Sequence, residues 1–470
     1  MESKLKLISA KAKEDKRLKF TALVHHVNKE NLIECYKELK KNRACGIDEV
    51  TVEEYGKNLE ENIDNLLHRL KDKSYRANAV RRVEIPKANS KEKRGLGIPT
   101  VEDKLVQLVV KKLLEAIYEQ DFLECSYGFR PNLSCHAAIK ALDTVVMKKP
   151  INYVVEVDIR KFYDNINHYW LQRCLEERIL DKNFIWLIRR LLKAGVIKDG
   201  VVSTSDQGTS QGSVASPILA NIYLHYVLDL WFGKVVKPKA KGYVELIRYC
   251  DDFVVCCESQ KDAEEFLSLL HDRLKSFGLA ISEEKTRIVK FGRRPWQLAS
   301  KNKEKLETFN FLGFTHYCGK SRQGYFIMGH KTIKSSFARK LKETQEWLKA
   351  IRSQAVLKDW WPILKSKLTG HYNYFGISGN YQSISKFYHR TVQIVHKWIN
   401  RRGSRKVSYI WLRNYLQWNP LPMPKIMYSL YSKTIVVKQN SYIEEPYVGK
   451  PPVGFCEGYH SNETSLIRKW

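Results

Sequence analysis

The segment RYCDDFVVCC, Arg248 to Cys257, decides how the rest of the sequence is interpreted. It places two adjacent carboxylates, Asp251 and Asp252, within a run of β-branched, aromatic and other apolar residues, which is typical of a strand or a tight hairpin. An unpaired buried charge is costly, and a like charge beside it raises the cost. An isolated pair of acids is more often a plain turn, but strand-forming flanks on both sides predict the tip of a buried hairpin.

A third carboxylate has similar surroundings. Asp158 ends the run YVVEVD, within a strand predicted over 152–159, and the start of a helix, YDNINHYWLQRCLEERI, follows. If the strands are neighbours, the three acids converge, and they then repel each other unless cations neutralise them. Two hard divalent ions about 3.5–4 Å apart would do so and would suit phosphoryl or nucleotidyl transfer. The alternative is a set of structural ion pairs with Arg248 or Arg160.

Composition points to a polyanionic partner. The chain has 470 residues, of which 43% are apolar, and 81 Lys and Arg against 51 Asp and Glu give a net charge of +30. A chain this basic usually meets nucleic acid. No run approaches the ~18 apolar residues of a membrane span, and the first twenty residues lack the apolar core of a secretory signal. The ten cysteines include no CxxC pair, so we expect neither a zinc site nor a disulfide framework. We therefore expect the protein to be cytoplasmic.

Helices alternate with strands up to about residue 314, which predicts an α+β domain. Thr100 is predicted to cap a strong helix, and Ser216, followed by Pro217, to cap another. A third helix should end at Gly278. Within this region the segment KGYVELIRYCDDFVVCCES indicates two strands joined at or near the two acids.

The region from Trp347 to Ile443 has a different character. It holds sixteen Lys and Arg but one acid, Asp359, together with six of the eleven tryptophans and nine tyrosines. Its pattern is mainly helical. We expect most of the aromatic residues to form a core and the excess of cations to face RNA, whereas residues 440–470 are expected to be a loosely ordered tail.

Several motifs, taken in order, resemble one family. YCDD (249–252) and DIRKFYDNI (158–166) look like the two carboxylate motifs of reverse transcriptases. The whole chain more closely resembles the reverse transcriptase–maturases encoded by bacterial group II introns. The other blocks that carry this resemblance are GIDEVT (46–51), IPKANSKEKRGLGIP (85–99), SYGFRP (126–131), TSQGSVASPILANIYL (209–224), GLAISEEKTRIV (278–289), NFLGF (310–314) and LTGHYNYFGISGN (368–380).

The sequence departs from this family at two positions. Cys250 stands where Ala is usual before the acid pair, and Gly95 stands where Pro is usual in the block at 85–99. Neither change removes a charged group. Many relatives end in a zinc-bearing endonuclease domain, but no paired CxxC or His-Asn-His-like cluster occurs near the end of this sequence, so we expect no endonuclease.

The resemblance implies a right-hand polymerase fold. Residues 1–43 would form an N-terminal helical extension, 44–315 the fingers and palm, 316–412 a helical thumb or maturase domain, and 413–470 a basic DNA-binding-like segment and tail. The implied activity is RNA-directed DNA synthesis with dNTPs on an RNA template with a DNA or RNA primer, together with binding of group II intron RNA and target DNA to assist splicing and mobility. Two alternatives stay open: an RNA-folding maturase in which polymerisation is secondary, and a host-adopted enzyme of repair or defence.

By resemblance, Asp158 and Asp251 would ligate two Mg²⁺ ions, with Mn²⁺ a possible substitute. The carbonyl of Ile159 would assist, and Asp252 would be a less direct third acid. The reaction would be attack of a primer 3′-hydroxyl on the α-phosphate of a dNTP, in which positioning and charge stabilisation dominate.

Three residues are expected beside the incoming nucleotide. Tyr163, next to Phe162, would lie under the sugar and exclude a 2′-hydroxyl; ordinary core packing is the alternative for this tyrosine. Gln211 would contact the nucleotide from a loop rich in Gly and Ser, which could also be a plain loop before a helix.

Four basic residues complete the predicted site. Lys87 and Arg94 flank a basic loop that would clamp the triphosphate, although such charge runs are usually solvated. Lys285 would lie near the pyrophosphate, or else pair with Glu283 or Glu284. Arg130 would face the template or nucleotide, or else brace a loop through carbonyl contacts.

Overall fold

The computed structural model of the chain describes residues 1–86, 93–198, 201–203, 206–402 and 406–431. It combines helices with three sheets whose strand pairs are almost all antiparallel, so the predicted α+β class is confirmed. Across these ranges no helix has both the length and the apolar character needed to span a bilayer.

The N-terminal part is mostly helical, with one hairpin. Helices α1 and α2 both pack on α5, which is the most buried helix of this part of the chain. Thr100 caps α5 as predicted, because its hydroxyl accepts a hydrogen bond from the backbone N–H of Asp103. The elements are α1 (Glu2–Glu14), α2 (Lys29–Glu38), α3 (Val52–Lys57), α4 (Leu59–Lys71), β1 (Val80–Pro86), β2 (Lys93–Ile98), α5 (Val101–Tyr118) and α6 (Cys135–Lys148).

The middle of the chain builds the central sheet, in the strand order β6-β7-β3-β8, with every pair antiparallel. A smaller sheet joins β4 and β5 to the β1–β2 hairpin in the order β2-β1-β4-β5. The elements are β3 (Tyr153–Asp158), α7 (Phe162–Asn165), α8 (His168–Glu176), α9 (Lys182–Leu192), β4 (Val196–Lys198), β5 (Val201–Ser203), α10 (Ser216–Leu224), α11 (Lys237–Lys239), β6 (Val244–Tyr249), β7 (Asp252–Cys257), α12 (Gln260–Ser276) and β8 (Arg287–Lys290).

Two details differ from the sequence predictions. The helix after Asp158 is not continuous, since α7 ends after one turn and the side chain of Asn167 caps the start of α8. Ser216 is not an N-cap: it is the first residue of α10, and its hydroxyl donates to the carbonyl of Ser210 at 2.9 Å. In contrast, Gly278 follows the end of α12 at φ +75°, as the sequence predicted.

The C-terminal part is a three-stranded sheet, in the order β11-β10-β9, followed by four helices. Trp360, Trp361 and Trp398 are buried among these helices, whereas Trp418 is 86% exposed. Two predicted domain boundaries, at 315/316 and 412/413, fall inside β10 and α17. The elements are α13 (Arg293–Asn302), β9 (Phe309–Phe311), β10 (Phe314–Lys320), β11 (Phe326–Thr332), α14 (Lys334–Ile351), α15 (Leu357–Phe375), α16 (Tyr381–Ile399) and α17 (Tyr409–Trp418).

Candidate active site

The two adjacent acids lie at the turn of a hairpin, as the sequence predicted. Strands β6 and β7 pair in a register that sets Tyr249 opposite Asp252, so Cys250 and Asp251 form a two-residue turn. Cys250 has φ +55°. A two-residue turn of this kind needs left-handed backbone, which is uncommon for residues other than Gly and tends to be found at functional sites.

Strand β3 brings the third acid to the same end of the sheet. It lies between β7 and β8, and its register sets Asp158 opposite Asp252. Directly opposed residues on neighbouring strands project from the same face with their Cβ atoms about 5 Å apart. The structure therefore brings Asp158 to Asp251 and Asp252, which lie 93 and 94 residues later in the sequence.

The carboxylates are only partly neutralised. The ammonium of Lys285 lies 3.0 Å from Oδ2 of Asp158, and both side chains are about half exposed or more. This pair replaces the predicted alternative in which Lys285 pairs with Glu283 or Glu284. The pKa of Asp252 is raised well above its ordinary value, first by burial and then by repulsion from Asp251 and Asp158.

An excess of acid of this kind suits a divalent cation. Carboxylate and carbonyl oxygens are the ligands that Mg²⁺ prefers, and the repulsion at Asp252 is what such an ion would relieve. Within the described ranges, however, no three His, Cys, Asp or Glu side chains are grouped closely enough to enclose an ion. The three carboxylates are thus chemically suited to a cation, but the ammonium of Lys285 occupies one oxygen of Asp158. Ile159 continues β3 and bridges to Ile281.

The two aromatic residues after Asp158 are both buried. Phe162 and Tyr163 lie in α7, each 2% exposed, with their rings edge to face at 5.4 Å between centroids. The hydroxyl of Tyr163 lies 3.0 Å from Sγ of Cys250, and its carbonyl accepts a hydrogen bond from the N–H of Thr209 at 2.8 Å. Tyr163 is therefore packed against the turn that carries Asp251.

The loop that contains Gln211 is fastened to β2. The carbonyl of Gln211 accepts a hydrogen bond from the N–H of Gly97 at 2.6 Å. Gly212 follows at φ +107°, and a Cβ there would lie 2.6 Å from the carbonyl oxygen of Gly97. Glycine is therefore required at 212, and the loop has one fixed path before α10 begins.

Of the other predicted basic residues, only Arg130 has a described side chain. Lys87 lies outside the described residues, and Arg94, in β2, is described only by its backbone, which pairs with that of Ile85 in β1. Arg130 contacts the protein itself: its guanidinium pairs with Glu119 at 2.7 Å and donates to the carbonyls of Leu123 and Ser126. These contacts favour the predicted alternative for Arg130, a brace for its loop.

The structure does not support the alternative in which Arg248 pairs with the two adjacent acids. Arg248 was considered as an ion-pair partner of the Asp pair, but it is fully buried and forms a two-pronged ion pair with Asp229, at 2.7 and 2.5 Å. It also donates to Asn221, to Ser126 and to the carbonyl of Cys250, at 3.0, 2.7 and 3.1 Å. These five hydrogen bonds match the five N–H groups of a guanidinium. The signal in the sequence was Asp229, an acid within the apolar segment LHYVLDLWF.

The local fold supplies this partner through an irregular helix. After α10 the chain continues through a π-helical segment, His225–Asp229, which contains the carboxylate that Arg248 binds. Such π-helical segments are rare and are found frequently at functional sites. Here the segment places a buried carboxylate behind the hairpin that carries Asp251.

Comparison with known proteins agrees with this geometry. Residues 85–316 match the family described as reverse transcriptase (RNA-dependent DNA polymerase), and this range contains all three acids and the central sheet. The chain thus carries a reverse transcriptase domain, and it is an RNA-directed DNA polymerase by class.

The relatives narrow this class. The chain is 28% identical over 465 residues to the group II intron-encoded protein LtrA of Lactococcus lactis, covering 82% of this chain and 75% of that protein. It is 34% identical over 247 residues to protein YkfC of Escherichia coli, covering 46% and 64%. A putative COX1/OXI3 intron 2 protein of Saccharomyces cerevisiae is 38% identical over 189 residues, covering 40% and 21%. These similarities confirm the resemblance to group II intron-encoded reverse transcriptase–maturases that the motifs indicated.

Proposed function

We propose that the chain copies RNA into DNA at the end of the central sheet where the three acids meet. The observation that carries the proposal is the strand register that sets Asp158 opposite Asp252 and beside Asp251. In this proposal the central sheet is the palm, the β1–β2 hairpin belongs to the fingers, and the helices from α14 onward form the thumb.

Asp158 and Asp251 would hold two Mg²⁺ ions with the help of the Ile159 carbonyl, and Asp252 would support them as a third acid. When bound, the ions would activate the primer 3′-hydroxyl and stabilise charge on the transferred phosphate and the leaving pyrophosphate. The turn at Cys250 and Asp251 fixes the direction of the Asp251 carboxylate. Lys285 must leave Asp158 for both oxygens to become available, and its flexible ammonium could then reach a phosphate.

The remaining contacts would position the nucleotide. Tyr163, with Phe162 behind it, would lie under the sugar and exclude a 2′-hydroxyl. Gln211 would contact the dNTP from a loop whose path is fixed at Gly212, and Lys87 and Arg94 would hold the triphosphate. We retain no template role for Arg130, because its guanidinium is engaged by Glu119 and two backbone carbonyls.

Binding of intron RNA and target DNA is the second part of the proposal. The region from Trp347 to Ile443 has sixteen cations and one acid, so its helices cannot balance their charge internally. Structured RNA is recognised mainly through its shape, its backbone and its 2′-hydroxyls, for which such a basic surface is suited. By analogy with the group II intron-encoded relatives, the bound RNA would be an intron whose splicing and mobility the protein assists.

Replacing Asp251 with Ala tests the active site. We expect the Asp251→Ala variant to lose primer extension on an RNA template with dNTPs and Mg²⁺, because a carboxylate that would hold the ions is gone, while RNA binding stays largely intact. Asp206→Ala, at an exposed acid outside the site, is the matched control. Extension by the Asp251→Ala variant at the rate of the control would contradict the metal assignment.

A further inference from the structure

Cys250 occupies an unusual position in the site. It is 1% exposed, it holds a left-handed φ of +55°, and its Sγ lies 3.0 Å from the hydroxyl of Tyr163. Either atom can donate in this contact, since a thiol and a phenol are both donors and acceptors. The side chain that replaces the family's usual Ala thus has a specific polar partner in the same site.

The backbone that carries the thiol is held in place by two neighbouring residues. The carbonyl of Cys250 accepts a hydrogen bond from the fully buried guanidinium of Arg248 at 3.1 Å. The backbone also passes closely under Gly128, where an added Cβ would lie 2.5 Å from the nitrogen of Cys250. The position of Sγ is therefore set by the core rather than by solvent.

Tyr163 is fixed at two points. At its backbone, the carbonyl accepts a hydrogen bond from the N–H of Thr209, and at the far end of the ring the hydroxyl meets Cys250. The ring between these points is 2% exposed. Loss of the contact at the ring's far end would loosen the hold on the hydroxyl end of the side chain, and a tilt of the ring there would open space next to the sugar.

We propose that Cys250 is a positioning residue for sugar selection: its thiol holds the Tyr163 ring at the depth that leaves no room for a 2′-hydroxyl. This inference rests on the proposed function and on the gate role of Tyr163 within it. It assigns the specificity to a pair of residues, one on the helix after the first acid and one in the turn that carries the second. A neutral hydrogen bond of this kind corresponds to roughly a 3- to 10-fold effect on selection.

The test is a double-mutant cycle. The ratio of kcat/KM for a dNTP to that for the matching rNTP is measured on an RNA template with the wild type, Cys250→Ala, Tyr163→Phe and the double variant. We expect each single variant to lower the ratio about 3- to 10-fold and the double variant to fall no further, because both changes remove one hydrogen bond. Cys250→Ser keeps a donor and acceptor at this position and should restore most of the ratio.

Tyr163→Val is the reference for complete loss of the gate, and urea unfolding of each variant checks that the fold is kept. If Tyr163→Val lowers the ratio but Cys250→Ala does not, or if the two effects add in the double variant, the inference about Cys250 is wrong while polymerisation stands. If Cys250→Ser selects no better than Cys250→Ala, the hydrogen bond is not the cause, and the inference is also wrong. If the wild type does not extend a primer at all, it is the proposed function that fails.

Discussion

The buried ion pair behind the turn at Cys250 and Asp251 gives the sharpest prediction about stability. Arg248→Met keeps most of the side-chain volume but removes all five hydrogen bonds of the guanidinium and leaves Asp229, which is 0% exposed, without its cation. Removing one partner of a buried pair costs about 3–5 kcal/mol, because the remaining charge stays in a low-dielectric interior. We therefore expect the free energy of unfolding to fall by that amount in Arg248→Met.

The matched control removes both charges. In Arg248→Met with Asp229→Leu no buried carboxylate remains, so the unfolding free energy should recover by at least about 2 kcal/mol relative to the single variant. Recovery should be incomplete, because Asn221, Ser126 and the carbonyl of Cys250 still lack their donor, at about 1 kcal/mol each. The assay is urea unfolding at pH 7, followed by the intrinsic fluorescence of the tryptophans, with the midpoint and m-value compared across variants.

The same variants separate stability from function. The double variant regains its fold, but the turn at Cys250 has lost the guanidinium that holds its carbonyl, so primer extension should remain below that of the wild type. A cost of under about 1 kcal/mol for Arg248→Met, or a double variant whose loss equals the sum of the two single losses, would refute the role assigned to the pair.

Two further predictions concern the C-terminal helices. His371 stacks on Phe387 with 3.7 Å between ring centroids, and burial lowers its pKa to about 3, so it stays neutral in the fold while the unfolded chain takes up a proton below pH ~6.5. The free energy of unfolding that depends on this neutral histidine is therefore lost as the pH falls, by ~2 kcal/mol at pH 5. In urea unfolding between pH 7 and 5, His371→Phe should lose about 2 kcal/mol less of its unfolding free energy than the wild type does. Equal losses in the two proteins would contradict the low pKa of His371. If six to ten cations of the basic region contact phosphates, RNA affinity measured by filter binding should fall ~10³–10⁵-fold between 50 and 200 mM salt, whereas a change of only a few-fold would exclude that surface.

Much of the central sheet could be predicted from the sequence because its signals are local. An apolar run that ends in Asp158 and a second run interrupted by two acids each indicate strands, and the sequence predicts that the three acids converge if these strands are neighbours. The structure adds the register, which sets Asp158 against Asp252 and leaves Asp251 in the turn. The roles of these acids stay predictions, although their placement does not.

The contacts that sequence reasoning missed are long-range or depend on irregular backbone. Arg248 meets Ser126, which is 122 residues away, and Asp229, which reaches it from a π-helical segment that no simple periodicity predicts. For Arg130 the sequence left open a template or nucleotide contact and a brace for its loop, and it did not indicate Glu119, at the end of α5, as the partner. Similarly, Ser216 and Pro217 look like a standard helix start, and only the position of the Ser210 carbonyl shows that the hydroxyl of Ser216 is used otherwise.

The turn at Cys250 shows why a residue other than Gly can occupy this position. A left-handed conformation costs a side-chain-bearing residue about 1–2 kcal/mol, and Gly would avoid that cost. Gly would, however, provide no group for the hydroxyl of Tyr163, and the extra freedom of its backbone would weaken the fixed direction of Asp251. The hydrogen bond from Arg248 to the Cys250 carbonyl and the contact between the thiol and Tyr163 are together of the size needed to offset the strain. The strained turn that carries Asp251 is therefore stabilised by one contact on each side, from the guanidinium of Arg248 and from the hydroxyl of Tyr163.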